Sequence, residues 1–206
     1  MNTVIFDLGN VLVHWDWKGY LNSFDYDKKT FDTISNAMFL NKDWAYGDEG
    51  LVSPSEWLQL FIENAPDYEQ QIREVYATLE NCIYPYEYTL DLIQYYDDLG
   101  YRLFYLSNYS EGLYEKSQDR LSFIEAFEGG IFSYREKCIK PDAHIYQLLM
   151  ERYKIEPTET IFYDDVMDNV IAAQKLGMHA VQFTLEVVSN VLNDTKNGET
   201  NDEKSS

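Results

Sequence analysis

Basic residues are scarce in this sequence, and their scarcity excludes several classes of partner. Lysine and arginine together number 16, against 36 aspartates and glutamates, and the formal net charge is −20. Phosphate backbones and anionic membranes both require clustered positive charge. We therefore expect neither nucleic acid nor a membrane among the partners. An anionic substrate would need a local site, built from a divalent cation or a few placed hydrogen-bond donors.

Cysteine is also rare, and long apolar runs are missing. Cys82 and Cys138 stand far apart without the spacing of metal ligands, so we expect reduced, structural thiols in a cytoplasmic protein. The longest apolar runs are shorter than a membrane span requires. Asp7 interrupts the first of them and no lysine or arginine precedes it, which is unlike a secretory signal.

Short apolar runs alternate with helical segments at the start of the sequence and again after residue 88. These runs are Thr3-Val4-Ile5-Phe6 and residues 101–106, 129–133, 160–163 and 179–183. Strands that alternate with helices of ten or more residues are typical of a parallel sheet built from βαβ units. The sequence therefore predicts an α/β fold with a Rossmann-like parallel sheet.

The long stretch after the first strand reads as helical, with no convincing strand. Its best signal is Ser53-Pro54-Ser55-Glu56, which combines an N-cap serine, a proline at the first helical position and a capping-box glutamate. We predict a helical cap over residues 16–87, inserted into a core made of residues 1–15 and 88–190. The polar residues 191–206 are predicted to be a disordered tail.

Three of the predicted strands end in polar residues. Asp7 ends the first, Ser107 and Asn108 end the second, and Asp164 and Asp165 end another. The carboxyl ends of parallel strands meet at one edge of a sheet, where open α/β folds bind their ligands. Each group alone has an ordinary alternative, because aspartate, serine and asparagine also cap turns and helices.

Together with Lys140, the same groups suit phosphate chemistry. Asp7 and Asp165 offer the hard oxygen ligands that Mg²⁺ prefers. Ser107 could donate a hydrogen bond to a phosphoryl oxygen, and Lys140 could neutralise anionic charge. A lysine taken singly is more often a solvated surface residue, so the interpretation depends on the combination.

Four short motifs follow one another along the predicted core. They read Phe6-Asp7-Leu8-Gly9-Asn10-Val11, Leu106-Ser107-Asn108, Lys140-Pro141-Asp142 and Phe162-Tyr163-Asp164-Asp165, the last followed by Asn169. In residue type, order and spacing they resemble the motifs of the haloacid dehalogenase-like (HAD) hydrolase superfamily, in the subgroup with a helical cap after the first motif. The Asp-Leu-Gly-Asn stretch looks closest to the branch that contains alpha-glucose-1-phosphate phosphatases.

The resemblance implies a magnesium-dependent phosphomonoester hydrolase that acts on a small phosphorylated metabolite, for example a sugar phosphate such as glucose 1-phosphate. Its catalytic residues would be Asp7, the nucleophile that forms an aspartyl-phosphate, and Lys140, which screens its charge. Its substrate-binding groups would be Ser107, Asn108, Lys140 and the backbone amides of Leu8 and Gly9. Its metal ligands would be Asp7, Asp165 and the Gly9 carbonyl, with Asp164 and Asn169 as accessory contacts.

One position departs from the pattern of the superfamily. Most of its phosphatases carry an aspartate two residues after the nucleophile as general acid and base, and this chain has Gly9. Positioned proton transfer is worth about 10²–10⁴-fold in rate. His14, Asp16 and Asp168 are conceivable substitutes.

Two alternative functions remain open at this stage. The first is a catalytically weak phosphate-binding or regulatory protein that has lost the acid at position 9. The second is a metal-independent 2-haloacid dehalogenase, against which the Asp164-Asp165 pair counts. In the cap, Trp15, Trp17 and Trp44 are candidates to face the cleft, although aromatic residues at such spacing are more often part of a core.

Overall fold

Five parallel strands form the central sheet of this computed structural model, which describes the backbone of residues 1–202 and the side chains of residues 1–193. The strand order is β5-β4-β1-β6-β7, and a separate antiparallel pair joins β2 to β3. In chain order the strands are β1 (Thr3–Phe6), β2 (Val13–Trp15), β3 (Ile83–Pro85), β4 (Arg102–Ser107), β5 (Gly129–Phe132), β6 (Thr160–Asp164) and β7 (His179–Gln182). The predicted α/β fold with a parallel sheet is confirmed.

Helices cover both faces of the sheet and make up most of the segment between β2 and β3. The first five are α1 (Trp17–Asn22), α2 (Lys28–Ala37), α3 (Trp44–Asp48), α4 (Pro54–Asn64) and α5 (Glu69–Ala77). The others are α6 (Thr89–Asp98), α7 (Glu111–Ser117), α8 (Ser133–Glu136), α9 (Ala143–Tyr153), α10 (Met167–Lys175) and α11 (Leu185–Asp202). Short 3₁₀ helices occur at Pro66–Tyr68, Leu79–Cys82, Gln118–Ala126 and Pro157–Glu159.

Strand β1 lies at the centre of the sheet. Its residues are apolar or small, and all four are buried. It pairs in parallel with β4 on one side and β6 on the other. Val4 and Phe6 belong to the larger hydrophobic cluster, and Ile5 belongs to the cluster on the opposite face. This alternation is expected of a strand that is covered on both faces.

The ribbon of β2 and β3 connects the sheet to the helical segment. Val13 pairs with Pro85 and Trp15 with Ile83. Strand β3 lies inside the stretch 16–87 that the sequence predicted to be helical only, so that part of the prediction is corrected. The strand was missed because it has three residues, ends in proline and leaves two of its side chains exposed, which gives no burial pattern.

The capping box predicted for α4 is present. The Ser53 side chain accepts from the Glu56 backbone N–H, and Glu56 Oε2 accepts from the Ser53 backbone N–H at 2.8 Å. Behind this start, the helix buries Trp57, Phe61 and Ile62. The Trp57 indole also donates to the carbonyl of Asp43 at 3.1 Å. These contacts give the helical segment an aromatic core.

The structure differs from the predicted disordered tail over part of its length. Helix α11 continues through residues 191–202, and residues 203–206 lie outside the described part of the chain. The reason is packing, because Val188 is buried and both Val191 and Leu192 contact the larger hydrophobic cluster. Of the helices that the structure describes, none combines the length and apolarity needed to cross a membrane.

Replacing Trp57 by alanine tests the aromatic core of the helical segment. Trp57 is 0% exposed, so Trp57→Ala should lower the free energy of unfolding by about 3–5 kcal/mol, as large-to-small core substitutions do. Urea unfolding followed by circular dichroism measures the loss. Leu90→Ala is the control, because Leu90 is 66% exposed and its truncation should change stability by about 0.5 kcal/mol or less. Equal losses in the two variants would contradict this account of the core.

Candidate active site

Three carboxylates converge at the carboxyl edge of the central sheet. Asp7 follows β1 directly, Asp164 is the last residue of β6, and Asp165 comes next. Because β1 and β6 are parallel neighbours, the ends of both strands lie at the same edge. Each aspartate offers an oxygen atom within 4.8 Å of the others. Such a cluster is costly unless cations or hydrogen-bond donors compensate its charge.

Lys140 supplies that compensation. Its side chain is buried, with Nζ 2.9 Å from Asp7 Oδ1 and 2.7 Å from Asp164 Oδ2. Burial alone would lower the pKa of Lys140, but the negative charges of Asp7 and Asp164 outweigh it and raise that pKa. Lys140 is therefore a fixed positive charge between two carboxylates.

The electrostatic balance at Asp7 differs from that at Lys140. Burial raises the pKa of Asp7 to about 7, the attraction of Lys140 opposes this shift, and the charge of Asp164 adds to it. A bound cation would favour the ionised carboxylate further. Asp165 is less buried, yet burial also raises its pKa, against a hydrogen bond from Asn10.

Two asparagines hold the charged residues in position. Asn108 Oδ1 accepts from the Lys140 backbone N–H at 2.8 Å, and Asn108 Nδ2 donates to the Lys140 carbonyl at 3.0 Å. Asn169 Nδ2 donates to both oxygens of Asp164, at 3.0 and 3.1 Å. The sequence predicted that Asn108 binds substrate. Its side chain fixes the main chain of Lys140, and Asn108 also lines the cavity beside Asp7, so the role in substrate binding stays a prediction.

The turn after β1 orients the nucleophile candidate and links it to the metal-ligand candidate. The Leu8 backbone N–H donates to Asp7 Oδ1 at 2.7 Å, so this amide orients Asp7, and its role in binding the phosphate group stays a prediction. Asn10 has a left-handed backbone, with φ of 55°, which asparagine tolerates better than most residues. Its Nδ2 donates to Asp165 Oδ2 at 3.0 Å. The sequence assigned Asn10 no role, since its partner lies 155 residues away.

A cavity lies above these groups, between the sheet edge and the helical segment. Its lining from the core includes Asp7, Gly9, Asn10, Ser107, Asn108, Tyr109, Leu113, Asp165 and Val166. Trp15, Trp44, Asp48 and Ile83 complete the lining. Trp15 and Trp44 thus face the cleft, as the sequence suggested. Trp17 is not among the described lining residues, and its ring stacks on Phe39 at 4.9 Å.

None of the three conceivable substitutes for the missing acid is among the described residues that line this cavity. His14 packs against two tyrosine rings, and burial lowers its pKa. Asp16 caps α1 by accepting from the Gly19 backbone N–H at 2.8 Å. Asp168 lies in the first turn of α10 and lines a different cavity.

Asp48 is a cavity-lining residue that sequence reasoning missed. It is the last residue of the short helix α3 and one of 36 acidic residues, so nothing in its local pattern distinguishes it. Burial raises its pKa to about 7, a hydrogen bond from Trp44 opposes this shift, and the charge of Asp7 adds to it. Only tertiary structure brings Asp48 to the site.

A phosphatase and an enzyme solved with magnesium and phosphate are among the proteins that this chain resembles. The chain is 24% identical to the sesquiterpene phosphatase astK of Aspergillus oryzae over 180 residues, which cover 87% of this chain and 88% of that protein. A HAD family enzyme from Bacteroides thetaiotaomicron, solved in complex with magnesium and inorganic phosphate, is 25% identical with a TM-score of 0.73, over 89% of this chain and 94% of that one.

A dehalogenase shares the fold at a greater distance. The L-2-haloacid dehalogenase of Xanthobacter autotrophicus is 14% identical with a TM-score of 0.62, over 87% of this chain and 76% of that one. The model of the haloacid dehalogenase-like hydrolases matches residues 1–177. This match includes all four motifs and the helical segment between the first two. The chain therefore belongs to the haloacid dehalogenase-like hydrolase family.

Proposed function

We propose that this protein is a magnesium-dependent phosphomonoesterase that hydrolyses a small phosphorylated metabolite through an aspartyl-phosphate on Asp7. The observation that carries the proposal is the buried Lys140 between Asp7 and Asp164, with Asp165 and Ser107 on the same sheet edge. Family membership and the phosphatase activity named for the Aspergillus relative support it. So does the magnesium and phosphate complex of the Bacteroides enzyme.

The donor set fits Mg²⁺. This ion prefers oxygen ligands and typically binds through one or two carboxylates, a substrate phosphate and water. Asp7, Asp165 and the Gly9 carbonyl would hold it. Asp164 already accepts hydrogen bonds from Lys140, Asn169 and the Val166 backbone N–H, so it would act mainly by fixing its neighbours. When bound, the ion supplies positive charge that neutralises the phosphoryl oxygens and favours the ionised form of Asp7.

The residues of the chain then divide the reaction between them. The Asp7 carboxylate attacks phosphorus, the bond to the leaving oxygen breaks, and an aspartyl-phosphate forms. Ser107, at the end of β4, donates to a phosphoryl oxygen, while Lys140 neutralises charge between nucleophile and phosphate. Water then cleaves the bond between phosphorus and Asp7, which regenerates the carboxylate.

Two features bear on the substrate. The Asp-Leu-Gly-Asn motif favours a sugar phosphate such as glucose 1-phosphate, as the sequence resemblance implied. The cavity lining includes the aromatic and apolar side chains of Trp15, Trp44, Ile83, Leu113 and Val166 beside its polar groups. Tryptophan faces pack against both sugar rings and hydrocarbon chains, so an alkyl or terpenoid phosphate is a second candidate.

Asp7→Asn tests the proposed reaction. The amide keeps the shape of the side chain but is a poor nucleophile, so hydrolysis of p-nitrophenyl phosphate should fall by about 10³-fold or more. Activity of the unchanged protein should also disappear with EDTA and return with Mg²⁺. Asp119→Asn is the control, because Asp119 is exposed on the surface and its amide variant should keep full activity. Undiminished activity in Asp7→Asn would rule out the aspartyl-phosphate.

Lys140→Met tests the role of the buried ammonium group. Methionine fills similar volume without charge and leaves two buried carboxylates unpaired, so the free energy of unfolding should fall by about 3–5 kcal/mol. Adding Asp164→Asn should recover part of this loss, because it removes one of the unpaired charges. Lys175→Met is the control, since Lys175 is exposed. Chemical unfolding in EDTA measures all four proteins, and a Lys140→Met variant as stable as Lys175→Met would contradict the role.

A substrate panel separates the functional candidates. We expect magnesium-dependent phosphate release from sugar phosphates or from alkyl and terpenoid phosphates, measured as kcat/KM on both sets with nucleotides and phosphorylated acids as comparisons. Glucose 1-phosphate as the best substrate would support the branch suggested by the first motif. Halide release from 2-haloacids without Mg²⁺ would favour the dehalogenase alternative. Tight phosphate binding with no turnover on the whole panel would favour the regulatory alternative.

A further inference from the structure

The proposed reaction lacks a proton donor in its usual place. When the bond between phosphorus and the leaving oxygen breaks, that oxygen carries negative charge unless a proton reaches it. Gly9 has no side chain to provide the proton, and His14, Asp16 and Asp168 are not among the described residues lining the cavity. The carboxyl groups of the described lining residues are those of Asp7, Asp48 and Asp165. Asp7 and Asp165 are already assigned to attack and to the metal.

We propose that Asp48, on helix α3 of the cap, is the general acid and general base of this hydrolase. The inference rests on the proposed phosphomonoesterase activity and adds a catalytic residue to it. Asp48 lines the same cavity as Asp7 and Ser107, but it comes from the helical segment between β2 and β3. That placement suits a group that meets the leaving oxygen of a phosphate ester whose phosphorus lies at Asp7.

The Asp48 carboxylate lies beside an aromatic cluster. The Trp44 side chain, one turn earlier in α3, lines the same cavity and favours the ionised form of Asp48 against the effect of burial on its pKa. Trp44 is itself packed against Trp57 and Phe61, with ring centroids 4.7 and 6.0 Å away. The packed ring forms a fixed wall of the cavity next to Asp48, and a positioned carboxyl is what proton transfer requires.

The end of α3 is also fixed to the core. Ser133 Oγ donates to the Asp48 carbonyl and accepts from the Tyr109 backbone N–H at 2.8 Å. Tyr109 follows Ser107 by two residues, so the Ser133 hydroxyl joins the loop after β4 to the residue proposed as acid. Two residues beyond Asp48, the Lys137 ammonium group donates to the carbonyl of Gly50.

Gly50 allows the close approach that this attachment needs. Its φ is +65°, and a Cβ atom there would lie 2.2 Å from the Tyr134 carbonyl oxygen. A side chain at position 50 would therefore push α3 away from the core. These contacts fix the end of α3, and with it the backbone of Asp48, against the core.

The charges around Asp48 suit a group that both gives and takes a proton. Burial raises its pKa to about 7, with the Trp44 hydrogen bond opposing and the charges of Asp7 and Glu49 adding. A carboxyl with a pKa near the working pH is present in both forms, which is the best condition for acid and base catalysis.

Both half-reactions balance with Asp48 in this role. In the first, Asp7 Oδ bonds to phosphorus, the leaving oxygen departs with the electron pair of its bond to phosphorus, and the Asp48 carboxyl gives it a proton. The products are an alcohol, an aspartyl-phosphate and the Asp48 carboxylate. In the second, that carboxylate takes a proton from water as the water oxygen bonds to phosphorus. The bond to Asp7 breaks, phosphate leaves, and Asp48 is protonated again.

Asp48→Asn with a series of leaving groups tests the proposal in the full-length protein with Mg²⁺. For an alkyl phosphate, whose leaving oxygen needs a proton, kcat/KM should fall by about 10²–10⁴-fold. For p-nitrophenyl phosphate, whose leaving group is stable as an anion, kcat/KM should change by about threefold or less. The same substrate should now show a burst of nitrophenol and a lower kcat, because hydrolysis of the aspartyl-phosphate has lost its base.

Two further variants separate proton transfer from a structural role. Asp48→Ala should give the same selective loss. Glu49→Gln removes a neighbouring carboxylate that is not among the described lining residues, so its kcat/KM on both esters should stay close to that of the unchanged protein. Equal losses in kcat/KM on alkyl and nitrophenyl esters, or no loss on either, would overturn the role of Asp48. If the unchanged protein hydrolyses no phosphate ester at all, the proposed function itself fails, which is a distinct result.

Discussion

One buried ammonium group holds the active-site edge of this protein together. Lys140 Nζ lies 2.9 Å from Asp7 and 2.7 Å from Asp164, and without it two carboxylates would be buried side by side. The costs of burying the three charges are offset only because they are buried together. The loop that carries Lys140 is therefore constrained too, and the Asn108 side chain fixes it through both its backbone N–H and its carbonyl.

The sheet is what allows this arrangement to form from distant parts of the chain. Strand β1 pairs with β4 and β6 in parallel register, so Asp7, Ser107 and Asp164 reach one edge although long segments separate them in sequence. Local turns then set the details. The Leu8 amide orients Asp7, and Asn10 joins the turn after β1 to Asp165. The position of each residue at the end of its strand thus brings the polar groups together, and the turn residues set the orientation of their side chains.

The core of this arrangement could be predicted from the sequence because its signals are local. Apolar runs that end in Asp7, Ser107 and Asp164 indicate buried parallel strands, and parallel strands share an edge. The features that were missed depend on contacts between distant segments. Strand β3 has three residues and is defined by pairing with β2. The continuation of α11 past residue 190 is accompanied by contacts of Val191 and Leu192 with the core, and the contact of Asn108 with Lys140 joins residues 32 positions apart.

The cap and the core make separable contributions to the reaction. In the proposed reaction the core supplies the carboxylates and the lysine that act on phosphorus, and these groups do not contact the rest of the substrate. The helical segment supplies Trp44 and Asp48 from one short helix, so the group proposed to protonate the leaving oxygen and an aromatic ring that lines the same cavity are one turn apart. An acid at position 9 would have belonged to the core and acted on any ester. With the acid on α3, a change in this helix that alters which leaving group fits also moves the proton donor. Selectivity for the leaving group and proton transfer are therefore coupled through α3.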